Sequence, residues 1–218
     1  ADMMARGFLL GGTAGRTTLN GEGLQHQDGH SPILASTVPS VRTYDPAFAW
    51  ELAVLVRFGI QRMFVEDHDE LFYLMMYNEA LPMPARPDHG DLDEGVVRGG
   101  YLLEPAAGGG PRVNLLGSGT ILYEVMQAAA ILREEGYSVA VYSVTSYVEL
   151  ARDAERAEQV DAAEPAWLET IFPENGVPTV AATDYVRALP RMIASWINGP
   201  FTALGTDGFG KSERRSAL

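Results

Sequence analysis

The alternation of apolar and polar positions splits this chain into two unlike stretches. From residue 96 onward, apolar runs alternate with amphipathic segments. Val113-Asn114-Leu115-Leu116 reads as a strand, and Gly117-Ser118-Gly119-Thr120 as the turn after it. Residues 121–135 place Ile121, Val125, Ala128, Ala129 and Leu132 at helical spacing, and Gly136 ends that helix. Residues 138–144 predict a second strand, and a helix starts near Ser146 and runs through Leu150. A third strand is expected at 179–182. Residues 185–197 read as a helix kinked by Pro190, and 201–205 as a last strand. Strands alternating with helices point to a parallel α/β sheet.

The stretch before residue 86 is less regular. Residues 7–12 are apolar but short and flanked by glycine, too little to assign a strand. Residues 13–43 show little periodicity, which in a compact domain marks either function or disorder. The interleaved Leu19, Leu24, Ile33, Leu34, Val38 and Val41 favour order. Tyr44-Asp45-Pro46 reads as a helix start, with Asp45 as the cap and Pro46 in the first turn. The helix over 47–58 is apolar almost all round, broken by Glu51 and Arg57, and is expected to be buried on several faces. The aromatic run 71–77 predicts a buried strand. Residues 81–95, with three prolines, two glycines and four acids, predict an exposed, irregular connection. The expected organisation is a block at 1–85, a linker at 86–95 and a second block at 96–218.

Charge and composition narrow the function classes. The 218 residues carry 16 Lys and Arg against 29 Asp and Glu, a formal charge of −13. Such a surface repels phosphate backbones and argues against nucleic-acid binding. No apolar run approaches the roughly 20 residues of a membrane span, and there is no basic-then-apolar leader at the start. Cysteine is absent, which excludes disulfides and thiolate metal sites and fits a cytoplasmic protein.

The dense polar chemistry lies in Gly21-Glu22-Gly23-Leu24-Gln25-His26-Gln27-Asp28-Gly29-His30-Ser31. Two of the four histidines, two acids, two amides and three glycines sit together there. Glycines let a backbone approach a ligand closely, and histidine beside carboxylate offers proton transfer near neutral pH. Three readings of these residues stand open: acid–base chemistry, a metal site built on His26, Asp28 and His30, and a tight loop whose polar side chains cap backbone groups. Gly117-Ser118-Gly119-Thr120 is a poor dinucleotide loop, because the third glycine of that fingerprint would fall on Leu122. The glycines of residues 106–111 lack the Lys and Ser/Thr of a phosphate loop. The segment 205–215 follows a strand, where ligands gather in open α/β sheets.

Longer motifs carry a resemblance. Arg6-Gly7-Phe8-Leu9-Leu10-Gly11-Gly12-Thr13-Ala14-Gly15-Arg16-Thr17-Thr18-Leu19-Asn20 leads into the Gly21–Ser31 segment. Further on stand Tyr44-Asp45-Pro46-Ala47, Leu115-Leu116-Gly117-Ser118-Gly119, Val141-Tyr142-Ser143-Val144-Thr145-Ser146, and Leu204-Gly205-Thr206-Asp207-Gly208-Phe209-Gly210-Lys211-Ser212. Together they are similar to the homodimeric first component of pyruvate dehydrogenase complexes, which depends on thiamine diphosphate. The resemblance covers essentially the whole chain.

It implies a transketolase-like α/β fold: a partial pyrimidine-binding domain followed by a C-terminal α/β domain with a mostly parallel sheet, truncated at its end. It implies oxidative decarboxylation of pyruvate and acetyl transfer to the lipoyl domain of the dihydrolipoyl acetyltransferase component. It also implies a second subunit across a dimer interface. The position matching His26 lies by the thiazolium and contacts substrate, and the position matching Glu22 lines the same pocket and contacts cofactor–substrate adducts, whereas Gln25, Asp28 and His30 share the motif with less definite roles. The ligands of the diphosphate and of Mg²⁺ belong to a domain outside this chain, so the chain is expected to be a fragment that is inactive by itself. Two alternatives remain open: a non-catalytic assembly module, and a relative acting on another 2-oxoacid.

Overall fold

Parallel strands buried on both faces read as continuous apolar runs, and the centre of the second block is built from such runs. The computed structural model describes residues 1–12, 15–17, 26–159, 164–172 and 176–210. In the second block, β4 (Tyr101–Ala107), β5 (Arg112–Gly117), β6 (Ser138–Ser143), β7 (Thr179–Ala182) and β8 (Phe201–Leu204) form one sheet in the order β4-β6-β5-β7-β8. All neighbours are parallel except β4, which runs antiparallel to β6 at the edge.

Successive side chains on these strands leave by opposite faces. Leu115, Val139 and Val141 pack with Leu122, Val125 and Ala129 of α4 (Ile121–Glu134). Leu116, Ala140, Tyr142 and Ala181 pack with Val148, Leu150 and Ala151 of α5 (Tyr147–Ala157). A helix therefore covers each face of the sheet.

The first block contributes a smaller parallel sheet. β1 (Gly7–Gly11), β2 (Val41–Tyr44) and β3 (Leu71–Met75) pair in the order β1-β3-β2. Phe72 and Leu74 of β3 join the same apolar cluster as Leu115 and Val141 of the other sheet, so the two blocks share a core. The outer strand β1 leaves Leu9 and Leu10 48% and 61% exposed, although adjacent strand residues point to opposite faces.

Several sequence expectations hold, and others shift for identifiable reasons. The strands at 113–116, 138–144, 179–182 and 201–205 are present within a residue or two. The helix expected at 47–58 is α2 (Ala49–Ile60), continued by a π-helical turn at Gln61–Val65. Asp45 does not cap it. Glu51 reaches back instead and accepts the amides of Ala47 at 2.6 Å and Phe48 at 2.9 Å. Burial of α2 is concentrated on Glu51, Val54, Leu55 and Gly59 rather than on all faces. Residues 13–43 contain α1 (Ser31–Ser36) and β2, both too short to leave a periodic trace. The helix expected over 185–197 is instead α7 (Ala188–Arg191) and a 3-10 turn, Ala194–Trp196. Pro190 lies within α7, where it supplies no amide for a longer helix. Residues 81–91 carry neither helix nor strand, but α3 (Leu92–Arg98) begins inside the expected linker. Asp91 starts it by accepting the amide of Glu94. One further short helix, α6 (Trp167–Ile171), was not foreseen.

Candidate functional site

The carboxyl ends of both sheets point at one another, and the polar residues that follow the strands meet there. Asp45 follows β2. Its amide donates to the Thr145 carbonyl at 2.7 Å, and its own carbonyl accepts the amide of Gly119, which follows β5, at 3.1 Å. Tyr77, just past β3, donates its hydroxyl to the Asp45 carboxylate. Gly119 has φ +49°, and a Cβ there would strike both the Tyr77 hydroxyl and the Asp45 carboxylate, so only glycine fits the turn. Burial pushes the Asp45 carboxyl up to about 7, against the hydrogen bonds from Tyr77 and Ser118 that favour the anion. Ser118 and Thr183, at the ends of β5 and β7, share a hydrogen bond of 3.2 Å.

Deeper between the blocks, the Glu51 carboxylate is fully buried. Besides the two amides of its own helix start, it accepts the hydroxyls of Tyr101 and Ser143, each at 2.6 Å. Burial raises its pKa and those four donors oppose the rise. All four donors are satisfied, so Glu51 is a structural bolt between the helix of one block and the sheet of the other.

Of the Gly21–Ser31 segment the structure describes residues 26–31, and the Gly29 carbonyl accepts the amide of Val186 from the loop after β7 at 3.0 Å. Glu22 and Gln25 fall outside the described residues. His26 is exposed at the surface, and its carbonyl accepts the Asp28 amide at 3.2 Å. Asp28 is half-buried. Its Oδ1 accepts the amides of His30 and Ser31, both at 3.0 Å, forming the turn that starts α1. That is the backbone-capping reading for Asp28. His30 is half-buried, with its ring centroid 6.0 Å from that of Phe209 beyond β8. Gln27 is buried, and a Cβ on Gly210 would meet its side chain. Among the described residues, no group of three or more His, Asp or Glu side chains could hold a metal ion.

Arg16 escaped the sequence reading, yet it is one of the most buried charges in the molecule. Its guanidinium donates to the carbonyls of Thr206 and Gly208. Burial lowers its pKa, opposed by Asp184, Asp28 and Asp207. Asp184, fully buried after β7, was also missed. The only signal in the sequence was its place just after a strand, where ligand-handling residues collect in α/β sheets.

A separate cavity of about 540 Å³ lies between β2, α3 and α5 and is lined by Arg42, Arg98, Glu149, Arg152, Asp153 and Arg156 among others. Each of these arginines is paired with a carboxylate, so the cavity reads as an ion-pair network rather than a binding site. No helix among the described residues is long and apolar enough to cross a membrane.

Residues 1–84 match the family described as the pyruvate dehydrogenase E1 component middle domain, and residues 99–218 the transketolase-like C-terminal domain. The pyruvate dehydrogenase E1 component of Corynebacterium glutamicum is 46% identical over 226 residues, an alignment covering 100% of this chain and 24% of that protein. The chain thus spans about a quarter of the length of the curated relatives it matches. Among solved structures, transketolase from Campylobacter jejuni superposes with a TM-score of 0.69 at 16% identity, covering 97% of this chain and 28% of that one. A split-gene transketolase described as an inactive β4 tetramer superposes with a TM-score of 0.60 at 16% identity, covering 96% of this chain and 58% of that one. At these identities the solved structures speak for the fold, which is transketolase-like with mostly parallel sheets.

Proposed function

We propose, from the premise that this chain belongs to the transketolase-like family and joins a pyruvate dehydrogenase E1-type middle domain to a transketolase-like C-terminal domain, that it is part of a decarboxylating 2-oxoacid dehydrogenase acting on pyruvate in the cytoplasm. The observation that supports this reading is that His26 is exposed and lies three residues before Gly29, whose carbonyl accepts the Val186 amide in the loop after β7. The likeness to the Corynebacterium protein, along all of this chain and 24% of that protein, favours pyruvate over other 2-oxoacids.

Thiamine diphosphate, when bound, supplies the carbon nucleophile and electron sink that loss of carbon dioxide from a 2-oxoacid requires. The described residues suit the organic end of such a cofactor and not its diphosphate. His26 is exposed, and in this reading its imidazole serves a substrate oxygen; Arg16 is committed to two backbone carbonyls, and among the described residues no group of three or more His, Asp or Glu side chains could hold Mg²⁺. In this reading His26 binds the substrate and its developing charge, and Glu22 hydrogen-bonds the reacting group. Gln25 and His30 line the pocket, and Asp28 shapes the turn beneath them. The diphosphate and Mg²⁺ ligands belong to the remainder of the protein. The acetyl group then passes to a lipoyl domain, and a second subunit completes the site.

His26→Ala in the full-length enzyme is expected to lower pyruvate turnover by about a hundredfold or more, with the unfolding midpoint nearly unchanged. Unaltered turnover would refute the assignment. The non-catalytic reading has its own support in the uncovered strand β1, whose exposed Leu9 and Leu10 suit further packed polypeptide. Calorimetry with thiamine diphosphate and Mg²⁺ separates the part played by this chain alone. No heat from the 218 residues, with binding once the remainder of the protein is added, is the expected result; tight binding by the chain alone contradicts it.

A further inference from the structure

The segment that carries His26 is gripped on both flanks by the second block. On the amino-terminal side, Oδ2 of Asp184 accepts the amide of Arg16 at 2.7 Å and that of Thr17 at 3.0 Å. The backbone bends into this carboxylate at Gly15, where φ is +80° and a Cβ would fall on the carboxylate itself. Arg16 then extends to the Thr206 and Gly208 carbonyls beyond β8. On the carboxyl-terminal side, the amide of Val186, two residues from Asp184, donates to the Gly29 carbonyl at 3.0 Å. The loop after β7 thus holds both sides of the His26 segment.

A fully buried carboxylate is costly to desolvate, and an apolar residue of similar size often serves stability as well. What a carboxylate adds is direction, because two backbone N–H groups can be satisfied by one oxygen in a narrow range of geometries. The amides it fixes lie 168 and 167 residues away, in the other block.

We propose that Asp184 is a positioning residue: it anchors the amides of Arg16 and Thr17 so that the second block holds the His26 segment in its working place. The proposal rests on the decarboxylase reading for its kinetic consequence and on geometry alone for its structural one. Displacing a substrate-contacting group by about 1 Å can cost on the order of a hundredfold in rate.

The test uses the full-length enzyme with thiamine diphosphate and Mg²⁺. Asp184→Asn keeps the side chain's size but removes the charge that draws both amides. It is expected to lower kcat for pyruvate at least tenfold with KM changed less than about threefold, and to speed hydrogen exchange at the Arg16 and Thr17 amides while β5 and β6 keep their protection. Gly15→Ala disturbs the same contact from the loop side and is expected to give the same signature. Because both act through one contact, the double variant should lose little more than either single one. Unchanged exchange at Arg16 and Thr17 in Asp184→Asn overturns the proposal, as does a double variant whose losses in kcat multiply. Should Asp184→Asn fail to fold, Gly15→Ala decides, and normal kcat with normal exchange in that variant is fatal. If the parent enzyme does not turn over pyruvate, the decarboxylase reading fails by itself, and the exchange measurements still decide whether Asp184 anchors the segment.

Discussion

The hydroxyl of Tyr101, on the antiparallel edge strand of the larger sheet, donates to the buried carboxylate of Glu51 in the helix of the smaller sheet at 2.6 Å. Removing it leaves Oε1 with only the Ser143 hydroxyl. Tyr101→Phe is expected to cost about 1–3 kcal/mol, the range for a buried polar group that loses a partner. Glu51→Ala, which strands two amides and two hydroxyls, should cost distinctly more. Urea unfolding measures both, and a Tyr101→Phe protein as stable as the parent would contradict this account of the junction.

Asp45 gives the fold an unusual pH response. Burial pushes its carboxyl up from the ordinary 3.8 to about 7 in the folded state. The folded state therefore holds the proton more tightly than the unfolded chain. Its contribution to stability is full below about pH 4 and is lost as the pH rises to about 7, a total of about 4 kcal/mol at roughly 1.4 kcal/mol per unit. Asp45→Asn cannot ionise, so its stability relative to the parent should climb between pH 4 and pH 7. Thermal unfolding of the pair across that interval checks it; a constant difference would show that Asp45 does not titrate there.

Glu70 has the opposite sign. Burial works against its anion, but hydrogen bonds from Arg62 and Arg42 outweigh it and bring the carboxyl down to about 2. The stability it lends is present above its ordinary range and is lost as the pH falls toward 2. Arg42→Met removes one of the two partners, while Arg62 still reaches Glu70 at 2.7 Å. Acid unfolding of Arg42→Met should accordingly begin at a higher pH than in the parent. Coincident acid transitions would rule out this role for Arg42.

Gly119→Ala probes the turn between Asp45 and Tyr77. The left-handed backbone alone costs an alanine roughly 1–2 kcal/mol, and the collision with both side chains adds to it. Chemical denaturation should show a loss above about 2 kcal/mol, whereas a value near zero would mean that the Tyr77 contact yields easily.

Much of the larger sheet was legible because β5, β6 and β7 are apolar on both faces and separated by long or well-terminated connections. The antiparallel β4 was not, since Glu104 and Pro105 interrupt it and its pairing with β6 is irregular. β2 escaped notice because Arg42 sits in a four-residue strand, where its charge is met by Glu70 and Glu149 from elsewhere in the fold. The Gly21–Ser31 segment stood out by composition, whereas the groups that grip it did not. Arg16 and Asp184 look ordinary in sequence, and their significance comes from burial and from a partner far along the chain.

The apolar cluster that unites Phe72 and Leu74 with Leu115 and Val141 makes the exposed stretch at 82–90 a tether rather than a hinge. Cutting it should not set two domains free. The pieces ought to remain together as a noncovalent heterodimer on size-exclusion chromatography and to melt in a single transition, because the surface that each would have to expose is the interior of the other.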